Sequence, residues 1–184
     1  MLAVGLGSLA LPRMAWASPQ AEALLRQGGL VVAFRHALAP GTFDPPGFTL
    51  GQCSTQRNLN DQGRAQAQAI GAWFKQRQLV PLQVRSSPWC RCMDTAQLAF
   101  AKADAWQALG SPRGYPETTG AEHLQLLRKA LLSASQNTKG FEVWVTHMFV
   151  LADLVQISVN SGEGLVLKTN SAGKPEALAR LVIA

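Results

Sequence analysis

Leu30-Val31-Val32-Ala33-Phe34-Arg35-His36 decides the reading of this chain. An apolar, β-branched run passes straight into a guanidinium and an imidazole. A run of this length predicts a buried strand. Open α/β sheets bind ligands in the crevice beyond the carboxyl ends of their strands, and Arg35 and His36 stand at such an end. The pattern recurs twice. Leu82-Gln83-Val84-Arg85-Ser86-Ser87 reads as a second strand, with Arg91 at the start of the helix that follows. Phe141-Glu142-Val143-Trp144-Val145-Thr146 reads as another, with His147 directly after it. If the three strands are parallel neighbours, Arg35, His36, Arg91 and His147 share one rim. Two forked cations and two imidazoles on one rim describe an anion site, most naturally for a phosphoryl group.

Working outward, strands alternate with helical patterns, which predicts an α/β fold: a three-layer α/β/α sandwich with a mostly parallel central sheet. Pro19 to Gln27 reads as a short amphipathic helix. Asn60 is a good cap for a helix over Asp61 to Gln78, with Ala65, Ala69, Ile70, Trp73 and Phe74 at helical spacing. Cys90 to Ala103 reads as a helix with Thr95, Leu98 and Ala99 inward. Gln107-Ala108-Leu109 is expected as a short strand. Residues 110–120 are expected to be irregular. Ala121 to Ser135 is expected as a helix with Leu124, Leu127, Leu131 and Leu132 on one face. Met148 to Ile157 begins as a helix, and Gly164 to Lys168 and Leu178 to Ile183 close the sheet. Residues 37–57 form a loop rich in Gly, Pro and Thr. A loop this long in a compact domain is usually functional, and this one is expected to shape a pocket beside His36.

The 184 residues, 47% of them hydrophobic, suit one globular domain with a real core. The formal net charge is +6, but the Lys and Arg residues are scattered and do not interleave with aromatics. That argues against a nucleic-acid partner. Met1 to Ala17 reads as a signal peptide, with an apolar stretch from Leu2 to Leu11 and Ala15-Trp16-Ala17 before the cut, leaving a domain over 18–184. The expected address is therefore periplasmic or secreted, with no stable membrane insertion after cleavage. Export permits a disulfide, and Cys53 is expected to pair with Cys90 or Cys92. Cys-Arg-Cys lacks a second pair of ligands at zinc spacing, so no metal site is read.

The motifs, taken in order, resemble the histidine phosphatase superfamily, the group that includes phosphoglycerate mutases and many phosphomonoesterases. Arg35-His36-Ala37 is similar to its Arg-His-Gly signature. Asn58-Leu59-Asn60-Asp61-Gln62-Gly63-Arg64-Ala65-Gln66-Ala67 is similar to its Leu-Thr-x-x-Gly-x-x-Ala helix opening. Ser86-Ser87-Pro88-Trp89-Cys90-Arg91-Cys92-Met93-Asp94-Thr95-Ala96 is similar to its Ser-Ser…Arg…Thr-Ala segment. Val145-Thr146-His147 stands where its late histidine stands. The likeness covers residues 30–155. Two positions depart from the pattern. Ala37 replaces Gly, so the backbone there must avoid conformations that only Gly tolerates. Thr146 replaces the common Gly and is expected to add a hydroxyl beside the phosphate.

What this implies is a phosphomonoester hydrolase working through a phosphohistidine, with a small-molecule or envelope-linked phosphate ester as its partner and no cofactor. A phosphomutase, or a phosphate-binding module without catalysis, is the alternative. His36 is the expected nucleophile, because a neutral imidazole nitrogen can attack phosphorus without first losing a proton. Arg35 and Arg91 are expected to clamp the phosphoryl oxygens, and His147 to donate to another. The resemblance favours Arg91 over Arg85, which is expected to pair with a carboxylate. The leaving alkoxide needs an acid. In the family it comes from between the second and late motifs, which here offers Glu117 and Glu122; Asp44 of the first loop is a third candidate. Glu117 is the preferred one. The turn Ser161-Gly162-Glu163-Gly164 is expected as a plain hairpin turn, the alternative being that it approaches the rim and orients His147 or a substrate hydroxyl.

Overall fold

The computed structural model describes residues 19–114 and 117–183, and of Glu117 only its backbone. Met1 to Ala17, read as a signal peptide, lies outside the described residues. The order of elements is α1 (Pro19–Gln27), β1 (Leu30–Arg35), α2 (Asp61–Gln76), β2 (Gln83–Ser86), α3 (Cys90–Phe100), β3 (Asp104–Ala105), α4 (Glu117–Gln136), β4 (Phe141–Thr146), α5 (Met148–Val155), β5 (Gly164–Thr169) and β6 (Pro175–Leu181). The strands form one sheet in the order β3-β2-β4-β1-β5-β6. β3, β2, β4 and β1 run parallel, β5 runs against β1, and β6 runs against β5. Five strands thus share a direction and one opposes them, the mostly parallel sheet expected.

Period-two alternation in β1 builds both cores. Val32 and Phe34 pack on one face with Leu25 of α1, Ile70, Trp73 and Phe74 of α2, and Ala96 of α3. Val31 and Ala33 pack on the other with Leu127 and Leu131 of α4 and Val150, Leu151 and Leu154 of α5. A strand buried on both sides has no polar face to present, which is why it reads as a continuous apolar run. Asn60 caps α2 by accepting from the Gly63 amide at 2.8 Å. Gly63 is glycine for a second reason: a Cβ there would lie 2.0 Å from the Leu38 carbonyl oxygen. The helix opening therefore packs directly on the backbone just beyond His36.

Several local expectations are corrected. Gln107–Leu109 is a 3-10 turn, and the edge strand is Asp104–Ala105 instead. α4 begins at Glu117, so the irregular stretch is shorter than its Gly and Pro content predicts. Leu132 is 44% exposed while Leu131 is fully buried, because adjacent helical residues lie about 100° apart and only one can face the sheet. In α2, Ala65 is exposed and Ala67 takes the inward position. Among the described residues, no helix is long and apolar enough to cross a membrane.

Candidate active site

β2, β4 and β1 lie side by side, and their ends are level. The register pairs Arg35 with Thr146 and Ser86 with Val145. Pairing persists one residue past each strand: the His36 amide donates to the Thr146 carbonyl at 2.9 Å, and the Ser87 amide to the Val145 carbonyl at 2.9 Å. His36, Ser87 and His147 consequently emerge together, with the two imidazole centroids 5.6 Å apart. α3, starting three residues after Ser87, carries Arg91 over the same spot. Arg35, His36, Arg91 and His147 all line one cavity of about 400 Å³. The four residues predicted from separate stretches of sequence are thus brought together.

Loop 37–57 forms the facing wall through Gly41, Thr42, Phe43, Asp44, Phe48 and Arg57, as its length predicted. A Cys53–Cys90 disulfide ties this loop to the first residue of α3, which leaves Cys92 as a buried thiol. Asp44 is the loop's polar anchor. It accepts from Arg91 Nη1 at 2.8 Å, from the Arg57 amide at 3.0 Å and from Trp89 Nε1 at 3.2 Å. Arg91 and Asp44 form a buried ion pair. The carboxylate considered as an acid therefore sets the position of Arg91. Glu122 is exposed on α4, outside the described cavity wall, and the Glu117 side chain lies outside the described residues.

The hydrogen bonds specify both imidazoles. His36 Nδ1 lies 2.7 Å from its neighbour's carbonyl, Ala37 O. A carbonyl only accepts, so Nδ1 carries the proton and Nε2 holds the lone pair. Burial, with repulsion from Arg91, Arg57 and Arg35, pushes the His36 pKa down to about 3. The ring is neutral at any ordinary pH. His147 Nδ1 faces Arg91 Nη2 at 3.4 Å and its Nε2 lies 2.8 Å from Ser87 Oγ. Arg91 can only donate, so His147 accepts on Nδ1 and donates from Nε2 to Ser87. Burial first, then Arg91, holds its pKa well below the usual imidazole range.

The cations crowd one another. Arg35 anchors by donating from Nη1 to the Val159 carbonyl at 3.0 Å. Burial and the neighbouring Arg91 lower the pKa of both Arg35 and Arg57. The buried Nε atoms of Arg35, Arg57 and Arg91 have no hydrogen-bond partner among the described residues. All three arginines line the one cavity, and forked cations around one space suit an oxyanion. No group of His, Cys, Asp and Glu able to hold a metal ion occurs among the described residues.

Arg57 lines the cavity and Ser87 holds His147, and the motifs in the sequence assign neither a role. Arg57 ends the 37–57 loop, beyond no strand end, and contacts with Asp44, the Ala39 carbonyl and Arg91 hold it inward. Ser87 stood inside a quoted motif, and its hydroxyl finds His147 only once β2 and β4 are neighbours. Thr146 is a correction: its hydroxyl donates to the Leu109 carbonyl at 2.6 Å and is not on the cavity wall. Ala37 is accommodated without left-handed backbone. Arg85 lies 3.9 Å from Glu142 and stacks on Trp106, away from the cavity, as expected. The turn at Gly162 supports the rim. Its amide lies 3.2 Å from the Arg35 carbonyl and 3.1 Å from that of His36, and its φ of +74° suits glycine.

The sequence profile of the histidine phosphatase superfamily (branch 1) matches residues 42–110, the stretch that carries the loop, α2 and Arg91. Solved structures agree over more of the chain. The protein histidine phosphatase SixA, solved with tungstate, superposes with a TM-score of 0.55 at 15% identity, covering 83% of this chain and 96% of that one. Over residues 42–110 the chain is similar to the histidine phosphatase superfamily. The α-ribazole phosphatase of Shigella flexneri gives a TM-score of 0.59 at 15% identity, covering 83% of this chain and 95% of that one. A phosphoglycerate mutase of Thermus thermophilus gives 0.58 at 17%, covering 84% and 99%. No curated protein matches the chain by sequence. At these identities the likeness to solved structures establishes the fold, and the structural neighbours include both phosphatases and a mutase.

Proposed function

We propose that this protein is a phosphomonoester hydrolase that works through a phosphohistidine on His36. The observation that carries the reading is the state of His36: neutral, with its proton committed from Nδ1 to Ala37, in a cavity walled by Arg35, Arg57 and Arg91. A phosphomonoester repels nucleophiles, and catalysis there is largely a matter of neutralising the phosphoryl oxygens and holding the attacker in line. The three guanidiniums and His147 supply the neutralisation, and a fixed imidazole lone pair supplies the attack.

In the first half-reaction Nε2 of His36 attacks phosphorus, the ester P–O bond breaks, and the departing alkoxide takes a proton from a carboxylic acid. Glu117 is assigned that task. It follows Arg113 of the cavity wall by four residues, while Asp44 is engaged by Arg91 and Glu122 points to solvent. In the second half-reaction the same carboxylate takes a proton from water, the water oxygen bonds to phosphorus, and the P–N bond breaks. His147 takes up a proton as the dianion binds and donates it from Nδ1 to a phosphoryl oxygen, with Ser87 holding Nε2. An exported, periplasmic or secreted, location is part of the proposal. The Cys53–Cys90 disulfide supports it, since such bonds persist in oxidising compartments.

The test is turnover of p-nitrophenyl phosphate by the purified protein. His36→Ala should abolish phosphate release with circular dichroism unchanged, and quenched wild-type enzyme should carry an acid-labile phosphoryl group on the peptide containing His36. Wild-type protein that binds phosphate and never releases it from an ester would establish a binding module instead. Transfer to a second hydroxyl without net release would establish a mutase.

A further inference from the structure

The phosphoryl group does not account for the whole cavity. Its volume is about 400 Å³. A phosphate, at roughly the volume of three or four waters of about 30 Å³ each, fills about a quarter of it. The rest belongs to the alcohol half of the substrate, and its wall is aromatic. Phe43 is 70% exposed, an unusual state for a phenyl ring beside a buried polar centre. It is not on a loose tip, because the next residue is Asp44, tied by three hydrogen bonds. Phe48 packs on Trp89 at 6.0 Å between centroids. Also on the wall, Phe149 lies under the Arg113 guanidinium at 4.7 Å. A rigidly displayed ring and a planar cation backed by a second ring are both surfaces for flat partners.

We propose that the cavity selects phosphomonoesters whose alcohol half is an aryl or arylmethyl group, seated against Phe43 and the Arg113–Phe149 pair. This rests on the phosphatase reading above, because it takes the phosphoryl end to lie at His36. A flexible aliphatic or sugar alcohol offers Phe43 little contact, whereas a flat ring gains offset stacking, covers exposed ring surface and meets the guanidinium face. Covering roughly 60 Å² of apolar surface corresponds to about a tenfold gain in affinity.

The experiment uses phosphonates, which cannot be hydrolysed, so that leaving-group reactivity does not enter. Dissociation constants of methylphosphonate, cyclohexylmethylphosphonate and benzylphosphonate are measured by calorimetry on the whole protein. Benzylphosphonate should bind about tenfold tighter than methylphosphonate, with the non-planar cyclohexyl compound between them. Phe43→Ala should collapse that ratio, the loss falling on the benzyl compound; Phe149→Leu is the second variant and should reduce it in the same direction. Equal binding of methyl- and benzylphosphonate, or a ratio that survives Phe43→Ala, overturns the inference. Failure of every phosphonate and of inorganic phosphate to bind would instead overturn the phosphatase reading beneath it.

Discussion

Asp44→Asn is the perturbation that tests the site's electrostatics most directly. The Asp44–Arg91 pair is 2.8 Å long, with side chains only 10% and 4% exposed. Neutralising one partner of a buried pair leaves the other charge uncompensated, at about 3–5 kcal/mol. Asparagine keeps one acceptor, which places the loss near the lower end, about 3 kcal/mol. For a domain of this size 1 kcal/mol moves the melting temperature by about 2–4 °C, so the variant should melt about 6–12 °C below wild type. A second measurement separates this account from a simple loss of packing. A bound phosphate dianion brings negative charge to the same guanidiniums, and at a hundred times its dissociation constant it stabilises by about 2.7 kcal/mol. The variant, with one more unbalanced cation, should bind the dianion more tightly than wild type. The gap in melting temperature should therefore narrow when phosphate is added. Calorimetric scans of both proteins with and without phosphate provide the test. A gap under about 2 °C, or one that phosphate leaves unchanged, refutes the reasoning.

Three further outcomes are expected. His36 has a folded pKa of about 3 against an ordinary value near 6.5. The unfolded chain takes the proton first, so the stability from this group is complete above pH 6.5 and declines as pH falls towards 3. Between pH 6.5 and 5, His36 alone should remove about 2 kcal/mol, and His147 acts in the same direction; urea unfolding that is equally stable at pH 7 and pH 5 would contradict both burials. Arg57→Met should lower kcat/KM about 100-fold, as for loss of one transition-state donor. It should also raise the His36 pKa by removing a repelling charge, and an NMR titration with the His36 pKa unmoved would take Arg57 out of the site. Removing the Cys53–Cys90 bond by Cys53→Ser with Cys90→Ser releases a constraint across 37 residues, worth about 4 kcal/mol by loop entropy. It should also raise KM by loosening Asp44 and Arg57, and unchanged stability on reduction would show the bond to be dispensable.

The layered α/β fold was legible in the chain because its signals are local. The run from Leu30 to Phe34 is apolar at every position since β1 is covered on both faces, and Asn60 announces its helix through a bond three residues away. Boundaries set by competition between local preference and packing were not legible. The start of α4 at Glu117, the exposure of Leu132 and the 3-10 turn at Gln107 depend on which side of an element meets the sheet. Thr146 looked like a site residue in one dimension, and its hydroxyl was claimed by the Leu109 carbonyl in three.

By itself the sequence determined the chemistry on offer: two imidazoles and two guanidiniums at or just beyond strand ends, where a parallel sheet opens to ligands. Tertiary structure alone decided which of these groups share a phosphate-sized space and what state each is in. Level ends of β1, β4 and β2 put His36 beside His147, and the disulfide-tied loop brought Asp44 and Arg57 against Arg91. Tautomer, charge and ion pairing depend on distances of a few ångströms between residues tens of positions apart, and no local pattern along a chain encodes those.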